Sequence, residues 1–120
     1  MRHWRLREVE TPQGTRSPVV LHSQDGEARL VLIEIDAGQA LGEHQVKEAA
    51  VVLVVDGSVT VEAGQDSVEA GAGELFRFDP DERRTVRSER GGRVLLYLAP
   101  WPGEGHYRGG GAARSSVSAS

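Results

Sequence analysis

The chain has 120 residues and a mass of 13.0 kDa, with 14 basic against 18 acidic side chains and no cysteine. That length supports one hydrophobic core rather than two, and the missing cysteine excludes disulfide scaffolds, thiolate metal sites and thiol nucleophiles. The mildly acidic balance gives no electrostatic footprint for nucleic acid or for anionic membranes. Among the basic residues only Lys47 is not arginine, and asparagine is absent, which is a compositional bias that lowers the weight of any single arginine.

In chain order, Met1 to Ser17 holds Trp4, Leu6 and Val9 amid charge and reads as an arm lying across a folded body. It lacks the apolar stretch of a signal peptide, and the longest apolar run, Ala49 to Val55, is far too short to span a bilayer. A soluble, cytoplasmic protein is expected. Runs rich in Val, Leu, Ile and Phe then recur at 18–22, 29–35, 50–55, 58–62, 74–78, 85–88 and 93–99. Turn signals separate them at Asp25-Gly26, Ala37-Gly38, Asp56-Gly57, Ala63-Gly64, Asp79-Pro80 and Gly91-Gly92. Asp56-Gly57, between two apolar runs, predicts a two-residue hairpin. Short strands at this spacing, with no sustained helical period, predict an all-β sandwich or barrel. Residues 108–120 have almost nothing to bury and read as a flexible tail. The expected organisation is an arm over 1–17, a barrel over 18–107 and a tail over 108–120.

Several motifs are missing. There is no phosphate-binding loop, and Gly71-Ala-Gly73-Glu-Leu-Phe lacks the third glycine of a dinucleotide fingerprint and leads into a strand. No Gly-x-Ser-x-Gly elbow is present. Two each of Phe, Tyr and Trp are too few for a single-stranded nucleic-acid stacking platform.

What is present is a pair of patterns around two histidine-type positions. Gly38, His44 and Gly57 fall at the spacing Gly-x5-His…Gly, with Val46 and Ala50 at intermediate positions. Further on, Gly73 precedes Asp79-Pro80, Arg84 and Ser88. Residues 29–99 thereby resemble the cupin family, whose first motif is Gly-x5-His-x-His-x3–4-Glu-x6-Gly and whose second is Gly-x5-Pro-x-Gly-x2-His-x3-Asn. The resemblance implies an antiparallel β-barrel, or double-stranded β-helix, of jelly-roll type. It also implies four interior positions that hold Fe, Mn, Zn, Ni or Cu in the family. On this chain those positions are His44, Val46, Ala50 and Arg84, so three of the four ligands are replaced. Glu43 and Glu48 are the nearest substitutes, but strand alternation points Glu43 away from His44, and Glu48 would require a shifted loop.

A barrel without a metal or other cofactor is therefore expected, with a bound divalent metal ion as the alternative. Its pocket would bind a small organic ligand through His44 and Arg84, with Val46 and Ala50 as apolar lining. A carboxylate or phosphate suits the planar fork of Arg84, and His44 is the one weak candidate for a catalytic base. Arg84 as a solvated loop residue is the competing reading. So are an isomerase, a cyclase or a metal-dependent dioxygenase, and a structural or regulatory dimer in which Ala50, Val52 and Val54 fill the barrel. A homodimer without nucleic-acid or membrane partners is expected. Arg77 is expected to face outward, His22 to be an ordinary strand-end residue, and Trp101 and His106 to cap an opening of the barrel. Tyr97 is open between the pocket and a subunit interface.

Overall fold

The structure, a computed structural model, describes residues 1–11, 18–41 and 49–100. Eight strands form it: β1 (Val19–Gln24), β2 (Ala28–Ile35), β3 (Gln39–Ala40), β4 (Ala49–Ala63), β5 (Asp66–Gly71), β6 (Leu75–Phe78), β7 (Thr85–Ser88) and β8 (Gly92–Ala99). Every pairing among them is antiparallel. One curled sheet runs β1-β2-β8-β4-β6, and the other runs β5-β4-β7-β3. The all-β expectation from spacing and turn chemistry is met. No helix among the described residues is long and apolar enough to cross a membrane.

The predicted hairpin at Asp56-Gly57 does not exist. The chain runs through it as one 15-residue strand, β4, whose first half pairs with β6 and β8 and whose second half pairs with β5 and β7. A bulge between Val54 and Asp56, opposite β8, supplies the bend that lets one strand serve both sheets. The extra residue also switches the inward side of β4 from Ala50, Val52 and Val54 to Val59 and Val61. The turn that does reverse the chain is Gly64-Gln65, where Ala63 pairs with Asp66. The sequence reading missed β5, because Asp66-Ser-Val-Glu-Ala-Gly carries only one large apolar residue.

Inward residues from both sheets join one apolar cluster that includes Val31, Ile33, Ile35, Val52, Val54, Val59, Val61, Phe78, Val86, Leu96 and Leu98. The registers give this barrel two distinct ends. At the closed end, Gly57 lies against Gly92, and the buried Ser88 hydroxyl donates to the Ser58 carbonyl at 2.6 Å and accepts from the Gly91 amide at 2.8 Å. At the opposite end stand the first residues of β2, β4 and β7 and the last residues of β6 and β8.

Residues 1–11 lie on the outer face of the first sheet. Arg93 Nη1 donates to the carbonyls of Leu6 and Val9, both at 2.8 Å, while its Nη2 pairs with Glu34 at 2.6 Å. Thr11 donates to the same Glu34 carboxylate, and Arg7 donates to the Val55 carbonyl. On that outer face Leu32, paired with Leu95, is fully buried.

Candidate functional site at the barrel mouth

The opposite end of the barrel brings a buried arginine against the aromatic rings of the interior. Along β7, Val86 and Ser88 are buried, while Arg87 faces out to Glu62. Arg84, one bridge residue before this strand, has the parity of the buried pair and is 6% exposed. Its guanidinium carbon lies 5.1 Å from the centroid of the Phe78 ring, in cation–π range. Phe78 is itself buried, stacks on Phe76 with centroids 6.4 Å apart, and pairs across the ladder with Ala50. Ala50 is completely buried and pairs on its other side with Leu98.

The direction of Arg84 depends on the turn before it. Glu82 N donates to the Asp79 carbonyl at 3.1 Å, and the Asp79 amide donates back to the Glu82 side chain at 2.9 Å. Asp81 takes the positive φ of 67° that closes this turn. A shift of one residue here would have reversed every side chain of β7. The solvated-loop reading of Arg84 is therefore corrected, and only its neighbour Arg83 is exposed. An open groove of about 330 Å³ lies outside, between Glu62, Gly64 and Asp66 on one side and Arg83, Arg84 and Thr85 on the other. Arg84 borders both this groove and the ring of Phe78.

His44 and Val46, with Glu43 and Glu48, lie outside the described residues, as do Trp101 and His106. Ala50 and Arg84 are brought to the same end of the barrel through Phe78, which the sequence reading passed over as an ordinary strand residue. Tyr97 points outward and is 40% exposed, so it does not reach the interior. Arg77 is also outward, paired with Asp79. His22 accepts at Nδ1 from Arg2 at 2.6 Å, which places its proton on Nε2 facing Glu27 at 2.8 Å.

No family model matches the sequence, and no curated protein does either. Solved structures do match. An RmlC-like cupin protein from Desulfovibrio desulfuricans superposes with a TM-score of 0.73 at 21% identity, over 83% of this chain and 97% of that one. A cupin superfamily protein from Desulfitobacterium hafniense gives 0.70 at 10% identity, over 78% and 84%. This is a cupin fold. An uncharacterized conserved protein with a double-stranded β-helix domain from Klebsiella pneumoniae gives 0.72 at 16% identity, over 83% and 90%.

The cupin motifs allow the donor set to be tested on the described residues. By the motif alignment, two of the four positions that hold a metal in the family correspond to Ala50 and Arg84, a buried methyl group and a guanidinium that carries donors only. Arginine keeps its positive charge in proteins, so Arg84 repels a cation from the place where the motif would hold one. These residues do not fit a metal centre.

Proposed function

We propose that this cupin barrel binds a small organic anion without a metal at the end that carries Arg84, with Arg84 as the charged anchor. The observation that carries this reading is the burial of Arg84 on the inward side, with its fork held over the Phe78 ring. A guanidinium fixed by an aromatic face has little rotamer freedom left to lose. The planar guanidinium fork is the side-chain shape that suits a carboxylate or phosphate. Phe78 and Phe76 supply the apolar backing against which Arg84 is held.

The same reading makes the protein a cytoplasmic homodimer. Outside the first sheet, Leu95, Leu53 and Leu75 form one cross-strand row, with Tyr97 beside it and Leu75 62% exposed. Arg77 and Asp79 put both charge signs at its rim. An apolar centre with a rim of both signs is self-complementary, as a two-fold contact between copies requires.

The test of the site is calorimetric titration with small carboxylates and inorganic phosphate, on the wild-type protein and on Arg84→Met. Binding by the wild type, weakened about tenfold or more in a folded variant, is the expected result. Failure of every anion to bind, or equal affinity in both proteins, would overturn the proposal.

A further inference from the structure

A chain of polar contacts on the outer face of the first sheet ties the beginning of the arm to β1, away from the anion site. The Arg2 guanidinium carbon lies 5.2 Å from the centroid of the Trp4 ring. Its Nη2 donates to His22 Nδ1 at 2.6 Å and to the Leu21 carbonyl at 3.3 Å. Both acceptors stand at the bulge of β1 between Val20 and His22. On the other side of the ring, His22 Nε2 meets Glu27 Oε1 at 2.8 Å. The charged groups that face the imidazole are thus Arg2 from the arm and Glu27 from the turn before β2. Along the same outward row, β2 places Leu30 and β8 places Tyr97, a hydrocarbon and a phenol.

The two charged partners require opposite protonation states. A guanidinium carries donors only, so the bond from Arg2 needs a lone pair on Nδ1, which the ring has only when neutral. Glu27 accepts from Nε2 in either state and holds the imidazolium more strongly. A proton on Nδ1 therefore sets donor against donor and cation against cation on the Arg2 side, while it tightens the pair with Glu27. Residues 6–11 are held by a different set, the Arg93 guanidinium on the carbonyls of Leu6 and Val9 and the Glu34 carboxylate on Thr11.

We propose that His22 is a pH-sensitive latch on the arm. Neutral His22 holds Arg2 and with it residues 1–4. Protonated His22 keeps Glu27 and releases Arg2, while residues 6–11 stay pinned. Trp4, half-buried in the latched state, then opens to solvent. The latch is closed at high pH and opens as pH falls through the range in which imidazoles titrate, about pH 8 to 5.

The experiment follows the lifetime-corrected quenching of Trp4 by acrylamide across that range, in a Trp101→Phe background that leaves one indole. Quenching is expected to rise along a single-proton curve as pH falls. His22→Asn offers Arg2 a side-chain oxygen that does not titrate, and should keep Trp4 shielded throughout. Glu27→Gln withdraws the charge that favours the imidazolium, and should move the midpoint to lower pH. His3, the arm's own imidazole, is exposed, and His3→Gln should leave the curve in place. Flat quenching in the parent, an equal rise in His22→Asn, or a midpoint that Glu27→Gln does not lower would overturn the latch. So would a transition that vanishes in His3→Gln.

Discussion

Gly57 shows what the closed end demands of a single residue. Its φ is +72°, and a Cβ built there would lie 2.3 Å from the Gly91 carbonyl oxygen and 2.9 Å from the Gly92 Cα. Both are backbone atoms, one at the start of β8 and one just before it, so neither can swing away. Gly57→Ala is expected to cost about 3–5 kcal/mol, combining left-handed strain with overpacking. Gly64 is the control: its φ is +62°, but nothing lies within 4 Å of a built Cβ. Gly64→Ala should cost only about 1–2 kcal/mol. Urea denaturation of both variants checks the contrast, and equal losses would contradict this account. At this scale, sequence marked Gly57 as special but gave the wrong reason. Asp-Gly between apolar runs signals a hairpin, whereas the physical requirement here is the close approach of Gly57 to the Gly91-Gly92 backbone. Arg84 was legible by motif position, while its direction depended on the Asp79–Arg84 turn, where one residue of slippage inverts the outcome.

Among the elements, β4 organises the molecule. Half of it belongs to each sheet, so its bulge sets which side chains face inward in both. Short strands and turns were readable because each is a local pattern of side chains. The continuity of β4 was not, because it arises from pairings with β8 and β7, which come much later in the chain. The arm is held just as non-locally. Arg93, with its side chain 13% exposed, joins Glu34 on the neighbouring strand to the carbonyls of Leu6 and Val9. Arg93→Leu removes these bonds and leaves the Glu34 carboxylate half-buried without its cation, at an expected cost of about 2–4 kcal/mol. The measurement is amide hydrogen exchange: residues 1–11 should lose protection while β7 keeps it. Unchanged protection in the arm would show that Arg93 does not hold it.

At the scale of the whole molecule, polarity runs from a glycine-lined closed end to an arginine-bearing mouth, with an apolar outer face on the first sheet. The dimer proposal belongs here. Leu75→Glu places a charge at the most exposed point of the Leu95, Leu53 and Leu75 row without touching the interior. It should convert a dimer to a monomer in sedimentation equilibrium while leaving anion affinity unchanged. A wild-type monomer, or a variant that stays dimeric, would refute the contact. The cupin fold was legible from strand spacing and two degenerate motifs. The character of the site was legible only in part, since the motifs report which ligands are missing and not what stands over Phe78.

The central claim is that a guanidinium has taken the place of a metal, and elemental analysis of untagged protein before and after mild chelation tests it most directly. The account predicts Fe, Mn, Zn, Ni and Cu each well below one per chain, with anion binding unchanged by chelation. Stoichiometric metal that is lost on chelation, together with loss of binding, would contradict it.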